Sequence, residues 1–127
     1  MTALPSRGTV SQTVASLASG ASADVSFTTP KTYALLKIET SHAAWVTLYT
    51  DTTSRTADSG RSETTDPTPG SGVIAEVITT GAATQLITPG TIGFNSVAST
   101  TTYAKIVNKS AFTANVQVTL TYVKLED

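Results

Sequence analysis

Apolar and polar residues alternate with a period of two through most of the chain, which is the spacing of half-buried strands rather than of helices. The clearest run comes last: Ala114, Val116, Val118, Leu120 and Tyr122 alternate with Asn115, Gln117, Thr119 and Thr121. Residues 21–28 repeat the pattern, with Ala21, Ala23, Val25 and Phe27 on one face. In 32–40, Ala34, Leu36 and Ile38 point one way and Tyr33, Leu35, Lys37 and Glu39 the other, and the charged pair marks that second face as the wetter one. In 44–51 the inward set is Ala44, Val46 and Leu48. Trp45, Thr47 and Tyr49 then face outward, two large aromatics that either pack under a neighbouring segment or line a contact surface. Further strands are predicted over 10–17, 73–79 and 85–88, the last ended by the turn dipeptide Pro89-Gly90, with 91–95 following it. Residues 102–107 and 114–123 read as a hairpin across 108–112. Residues 1–9, with Pro5 and Gly8 and little that is apolar, read as an extended N-terminal arm, ordered only by a neighbouring chain. The whole predicts an all-β fold: a single-domain β-sandwich over 10–127, jelly-roll or Ig-like, of about eight short antiparallel strands.

Residues 52–72 interrupt the pattern. Loops of this length are uncommon inside a compact domain and are usually functional or disordered. Much of the chain's charge gathers here or beside it: Asp51, Arg55, Asp58, Arg61, Glu63 and Asp66. Arg55, Asp58 and Arg61 lie three apart, the spacing that lines one side of a short helical turn over 54–61. Asp51, Thr53 or Ser54 supplies its cap, and Gly60 or Asp66-Pro67 ends it. Two readings stay open. One is a solvated loop with a surface ion pair. The other is a docking element on a rigid β scaffold, built from Arg55, Asp58, Arg61 and Asp66 with Trp45 and Tyr49. In the second, Arg55 pairs with Asp58 or Asp66, and the planar fork of Arg61 stays free for a partner's carboxylate or carbonyls.

Composition narrows the classes. There is no cysteine, so disulfides, thiol catalysis and cysteine-bound zinc are excluded. A net charge of −1 offers no basic surplus for phosphates, and no nucleic-acid partner is expected. Charged residues make up 13% of the chain, against roughly 25% in a typical domain. With 26 threonines and 14 serines the solvent faces are hydroxyl-rich instead, and threonine fits a pleated surface. A charge-poor surface also suits a chain covered by neighbours in an assembly. No apolar run approaches transmembrane length and the opening residues lack the apolar core of a secretory signal, so no membrane partner is expected and the chain is expected to stay soluble in the cytoplasm that makes it.

Catalytic patterns are thin. The single histidine, His42, stands beside Ser41 in a strand connection, but no strained G-x-S-x-G nucleophile turn is present, so it reads as a turn residue. Gly70-Ser-Gly72-Val-Ile-Ala75 matches a dinucleotide fingerprint but follows prolines and opens a β-branched strand, so its glycines serve positive φ in a turn. Asp51, Asp58, Glu63 and Asp66 are oxygen ligands without EF-hand spacing, and no metal or cofactor is expected. The sequon Asn108-Lys109-Ser110 reads as the hairpin turn. Outward Trp45 and Tyr49 offer a stacking platform for a glycan.

The series Leu48-Tyr49-Thr50-Asp51, Arg55-Thr56-Ala57-Asp58, Arg61, Asp66-Pro67 and Gly72-Val73-Ile74 resembles a small β domain of tailed-bacteriophage, cyanophage-like virion proteins. In that family such a run precedes a C-terminal pair of strands, here 103–108 and 114–125, and the resemblance covers residues 33–125. It implies a non-enzymatic virion structural protein: a tail or baseplate component such as a fibre adaptor or fibre-proximal module, or alternatively a capsid decoration or cement protein. A carbohydrate-binding module contacting the host surface is a third reading. The implied partners are other virion proteins and further copies of the chain, taken as a trimer, in a particle assembled in the host cytoplasm.

Overall fold

A computed structural model describes residues 7–126. Along the chain these form β1 (Arg7–Leu17), β2 (Ser22–Thr28), β3 (Thr32–Thr40), β4 (Ala44–Tyr49), α1 (Thr52–Ala57), β5 (Val73–Ile78), β6 (Ala83–Phe94), β7 (Thr101–Asn108) and β8 (Ala114–Glu126). The strands pair in nested fashion, all antiparallel: β4 with β5, β3 with β6, β2 with β7 and β1 with β8. The chain is thus a double ribbon folded back at the loop between β4 and β5. The ribbon then curls, so that β3 also pairs with β8 and β4 with β7. Two four-stranded sheets result, ordered β1-β8-β3-β6 and β2-β7-β4-β5. This is the jelly-roll arrangement, and it decides between the two sandwich types that the strand pattern left open.

The core lies between the sheets. Phe27 on β2, Val46 and Leu48 on β4, and Ile106 on β7 meet Val118 and Leu120 on β8, all fully buried. Each such side chain contributes about 1.5–3 kcal/mol relative to exposure. The alternation read for β2 and β8 therefore carries directly into the core.

β3 departs from its predicted phase. Tyr33, Leu35, Ile38 and Thr40 are its buried residues, so the inward face changes parity halfway. The cause is a bulge at Leu36: the register against both β6 and β8 slips between Leu35 and Lys37. One extra residue in a strand shifts every later side chain to the other face. The side of the strand carrying Lys37 and Glu39 is thus buried in its first half. Against β6 the slip is larger, since Ile87, Thr88, Pro89 and Gly90 stand opposite Leu36 alone. Pro89-Gly90 therefore does not end a strand. It forms a bulge, with a cis Thr88–Pro89 bond, inside one long strand. Because β6 lies at a sheet edge, the missing proline N–H breaks no ladder.

The predicted β7–β8 hairpin is also corrected: the two strands lie in different sheets. Asn108, fully buried, organises the crossing. Its side-chain amide donates to Leu17 O at 2.8 Å and Phe112 O at 2.9 Å, and its carbonyl oxygen accepts from Ser110 N at 2.9 Å. The sequon asparagine is consumed in this corner. Of the supposed arm, Arg7, Gly8 and Thr9 belong to β1 and pair with Val123, Tyr122 and Thr121 of β8. The rest of the arm falls outside the described residues.

One close approach fixes the end of β6. Gly93 sits opposite Tyr33, and a Cβ there would collide with the Tyr33 ring, whose hydroxyl is held by Thr102 Oγ1 at 2.7 Å. Gly93→Ala is expected to destabilise by about 1–3 kcal/mol through overpacking, whereas Gly81→Ala, with open space around it, should cost little. Equilibrium urea unfolding of the two variants measures the difference, and equal stabilities would contradict the packing.

Candidate functional site

The long loop folds back over the outer face of the β2-β7-β4-β5 sheet. That face is set by register: Asp24 on β2 stands beside Lys105 on β7, then Thr47 on β4, then Glu76 on β5. Trp45 and Tyr49 flank this polar row on β4, and Tyr103 sits beside Tyr49.

The loop starts with α1. Asp51 caps it, its carboxylate accepting from Ser54 N at 2.7 Å. This bond, with others from the Ser54 and Ser96 side chains, holds the Asp51 carboxyl below the usual carboxylate range. At the loop's other end Thr50 N donates to Gly72 O at 3.0 Å. Gly72 is in the left-handed region at φ 88°, and a side chain there would run into Ser54. Gly70, at φ 82°, completes the turn, as the sequence predicted for both glycines.

Two arginines fasten the loop on opposite sides of the face. Arg55 reaches the β2–β7 side. Its Nη1 donates to Val25 O at 3.0 Å, its guanidinium lies 5.4 Å from the Tyr103 ring centre, and its Nε is 3.5 Å from Asp24 Oδ2 in a charge contact. Asp24 is 61% exposed, so that contact is screened. The acidic partner is therefore Asp24 rather than Asp58 or Asp66.

Arg61 reaches the β4–β5 side. Its Nε and Nη2 form a fork on Asp58, at 2.7 Å to Oδ1 and 3.0 Å to Oδ2. Nη2 also donates to Glu76 Oε2, and Nη1 to Thr65 O at 2.7 Å. The guanidinium lies 5.5 Å from the Trp45 ring centre, and Lys105 Nζ is 4.6 Å from the same ring. With 9% of its side chain exposed, Arg61 is not free for a partner. The physical reason is Glu76: a second carboxylate, supplied from beyond the loop, closes the fork from the other side.

The surrounding groups complete the cluster. Glu76 Oε2 also accepts from Trp45 Nε1 at 2.8 Å and Thr47 Oγ1 at 3.1 Å. Tyr49 Oη donates to Asp58 Oδ2 at 2.5 Å. Burial pushes the Asp58 carboxyl up, but bonds from Arg61 and Tyr49 and the charges of Arg61 and Lys105 outweigh it, leaving a lowered pKa. Glu76 follows the same balance, with burial overcome by Arg61, Trp45 and Thr47. Burial, then the Asp58 bond and charge, push the Tyr49 phenol up. Bonds to Asp58 and Glu76 hold Arg61 firmly protonated. A separate ion pair, Lys109 to Glu63 at 2.7 Å, ties down the middle of the loop.

Of the predicted interaction residues, Arg55, Asp58, Arg61, Trp45 and Tyr49 come together, but beneath or within the loop. Trp45 and Tyr49 pack under it and are buried, so neither presents a stacking platform to a glycan. Asp66 is exposed at the loop's rim. Sequence reasoning missed Glu76, Lys105, Asp24 and Tyr103. The signal for the first two was a lone charge inside an otherwise apolar strand.

Elsewhere, a cleft of about 420 Å³ opens between α1, the Gly70–Gly72 turn and the end of β6, walled by Val73, Ile74, Ile92 and Phe94. Its carboxylate, Asp51, is already the helix cap. His42 Nδ1 is 2.9 Å from Ser41 Oγ, and that hydroxyl accepts from Gln117 N at 2.8 Å, tying the β3–β4 connection to β8. Among the described residues no group of His, Asp or Glu side chains is arranged to hold a metal ion. The polar chemistry thus converges on cohesion, in an all-β jelly-roll module with a strapped outer face. No protein-family model, no curated protein and no solved structure matches the chain.

Arg61→Ala strands two desolvated carboxylates unless the loop lifts away, and is expected to cost about 3 kcal/mol. Arg55→Ala loses a screened ion pair and a ring contact, about 1–2 kcal/mol. Urea unfolding at neutral pH orders the two, and equal losses would refute the assigned roles.

Proposed function

We propose that the chain is a non-enzymatic structural module of a tailed-phage virion, placed in the tail or baseplate. The observation that carries this is the self-consumption of the charged loop. Asp58, Arg61 and Glu76 satisfy one another on one side of the sheet face and Arg55 reaches Asp24 on the other, so this polar chemistry serves rigidity rather than turnover. What remains for contacts is a hydroxyl-rich, charge-poor exterior, suited to surfaces shared with symmetry-repeated neighbours. The resemblance of the Leu48–Ile74 series to phage virion proteins supplies the setting. Jelly rolls recur in viral capsid and lectin domains, an analogy of fold that favours the same setting without assigning a role.

Because Arg61 is spent internally, assembly contacts fall on the sandwich itself and not on the fork of the loop. Mass spectrometry of purified particles of the encoding phage should find the chain at a fixed copy number, and labelled antibody should mark the tail. Absence from particles would overturn the virion reading. Label confined to the head would overturn the tail placement and make the chain a decoration protein.

A further inference from the structure

We propose that residues 52–72 form an acid-releasable strap, which lifts from the outer sheet face and uncovers Trp45 and Tyr49 while the sandwich beneath stays folded. The inference stands whether or not the chain belongs to a virion.

It rests on a difference in what holds each part. The sandwich is held by apolar packing between its sheets. The strap takes almost no part in that packing: no residue of 51–72 is fully buried, α1 has no buried residue, and none belongs to the core cluster. Its hold is polar, and carboxylates take part in most of its charged fastenings, beside the bonds from Arg55 to Val25 O and from Lys105 to Asp58 O. Asp51 caps α1, Asp24 faces Arg55, Asp58 and Glu76 share Arg61, and Glu63 takes Lys109. Five of the chain's nine acidic residues thus secure one segment.

The groups facing the two central carboxylates come from every element packed there. Arg61 and Asp58 belong to the strap, Tyr49 and Trp45 to β4, Lys105 to β7 and Glu76 to β5. Protonating Asp58 and Glu76 leaves Arg61 and Lys105 as two cations beside one indole, with nothing to neutralise them. The sign follows from the direction of the shifts. Asp51, Asp58 and Glu76 are all lowered when the strap is docked, so docking is at full strength above the ordinary carboxylate values of about 4 and is lost as pH falls through the docked values. The sandwich core has no such dependence. Segments with few apolar contacts open first.

Trp45 is the sole tryptophan and lies under the strap, so its fluorescence reads docking directly. On acid titration its emission should shift to longer wavelength, and become open to acrylamide quenching, at a higher pH than that at which the far-ultraviolet β signal is lost. Glu63→Gln, which breaks an exposed fastening, should raise the pH of the emission change and leave that of the β signal in place. At neutral pH, Arg61→Ala should show the released emission with its β signal intact. One shared transition for emission and β signal would overturn the proposal, and so would an unmoved emission midpoint in Glu63→Gln. Should Arg61→Ala fail to fold, the wild-type titration and Glu63→Gln decide the matter.

Discussion

The guanidinium of Arg61 is the constraint on which the outer face depends. It stands between Asp58, at the end of α1, and Glu76, on β5, over the indole of Trp45. Two carboxylates drawn out of water are costly unless a cation and further donors meet them. Here Arg61 supplies the cation, and Tyr49, Trp45 and Thr47 supply the donors. Take away the planar fork and the aromatic row of β4 has no cover. With it, a segment that would otherwise be solvent-facing becomes a second layer on the sheet.

Two kinds of cohesion therefore share one small chain. Between the sheets it is non-directional and depends on area, as at Phe27, Leu48 and Val118. On the outer face it is directional and depends on charge state and geometry. Asn108 belongs to the second kind as well, since it spends its amide on holding the β1–β2 and β7–β8 connections together at one end. The charge-poor, hydroxyl-rich remainder of the surface fits this division, because about half of the ionic groups are used for internal fastening.

What the sequence made legible follows the same division. The core faces of β2 and β8 could be read, because unbroken alternation needs no knowledge of neighbours. β3 could not, because the bulge at Leu36 is a property of its pairing with β6 and β8 and has no signature in β3 alone. Pro89-Gly90 misled for a related reason: a proline ends a central strand but is tolerated at an edge, and only the sheet order reveals which applies. A connection as short as 109–113 serves a hairpin or a crossing between sheets equally well. In the loop, the three-residue spacing drew Arg55, Asp58 and Arg61 together but assigned neither arginine its partner. It gave Arg61 the wrong freedom and Arg55 the wrong acid because Glu76 and Asp24 arrive from elsewhere in the chain.

The nested ribbon also orders events in time. β4 and β5, the innermost pair, are separated by the loop alone, whereas Arg7 must find Val123 near the far end of the chain. Non-local pairing of this kind slows folding. On a ribosome adding about 5–20 residues per second, β4, the loop and β5 are complete long before β8 exists. Until β8 is made, β1 has no ladder partner and β3 lacks one of its two, each an open edge to any passing strand. The thirteen residues of β8 close both edges in one insertion. The nascent molecule is therefore most exposed to mispairing in the interval just before β8 emerges, when β1 to β7 are already present.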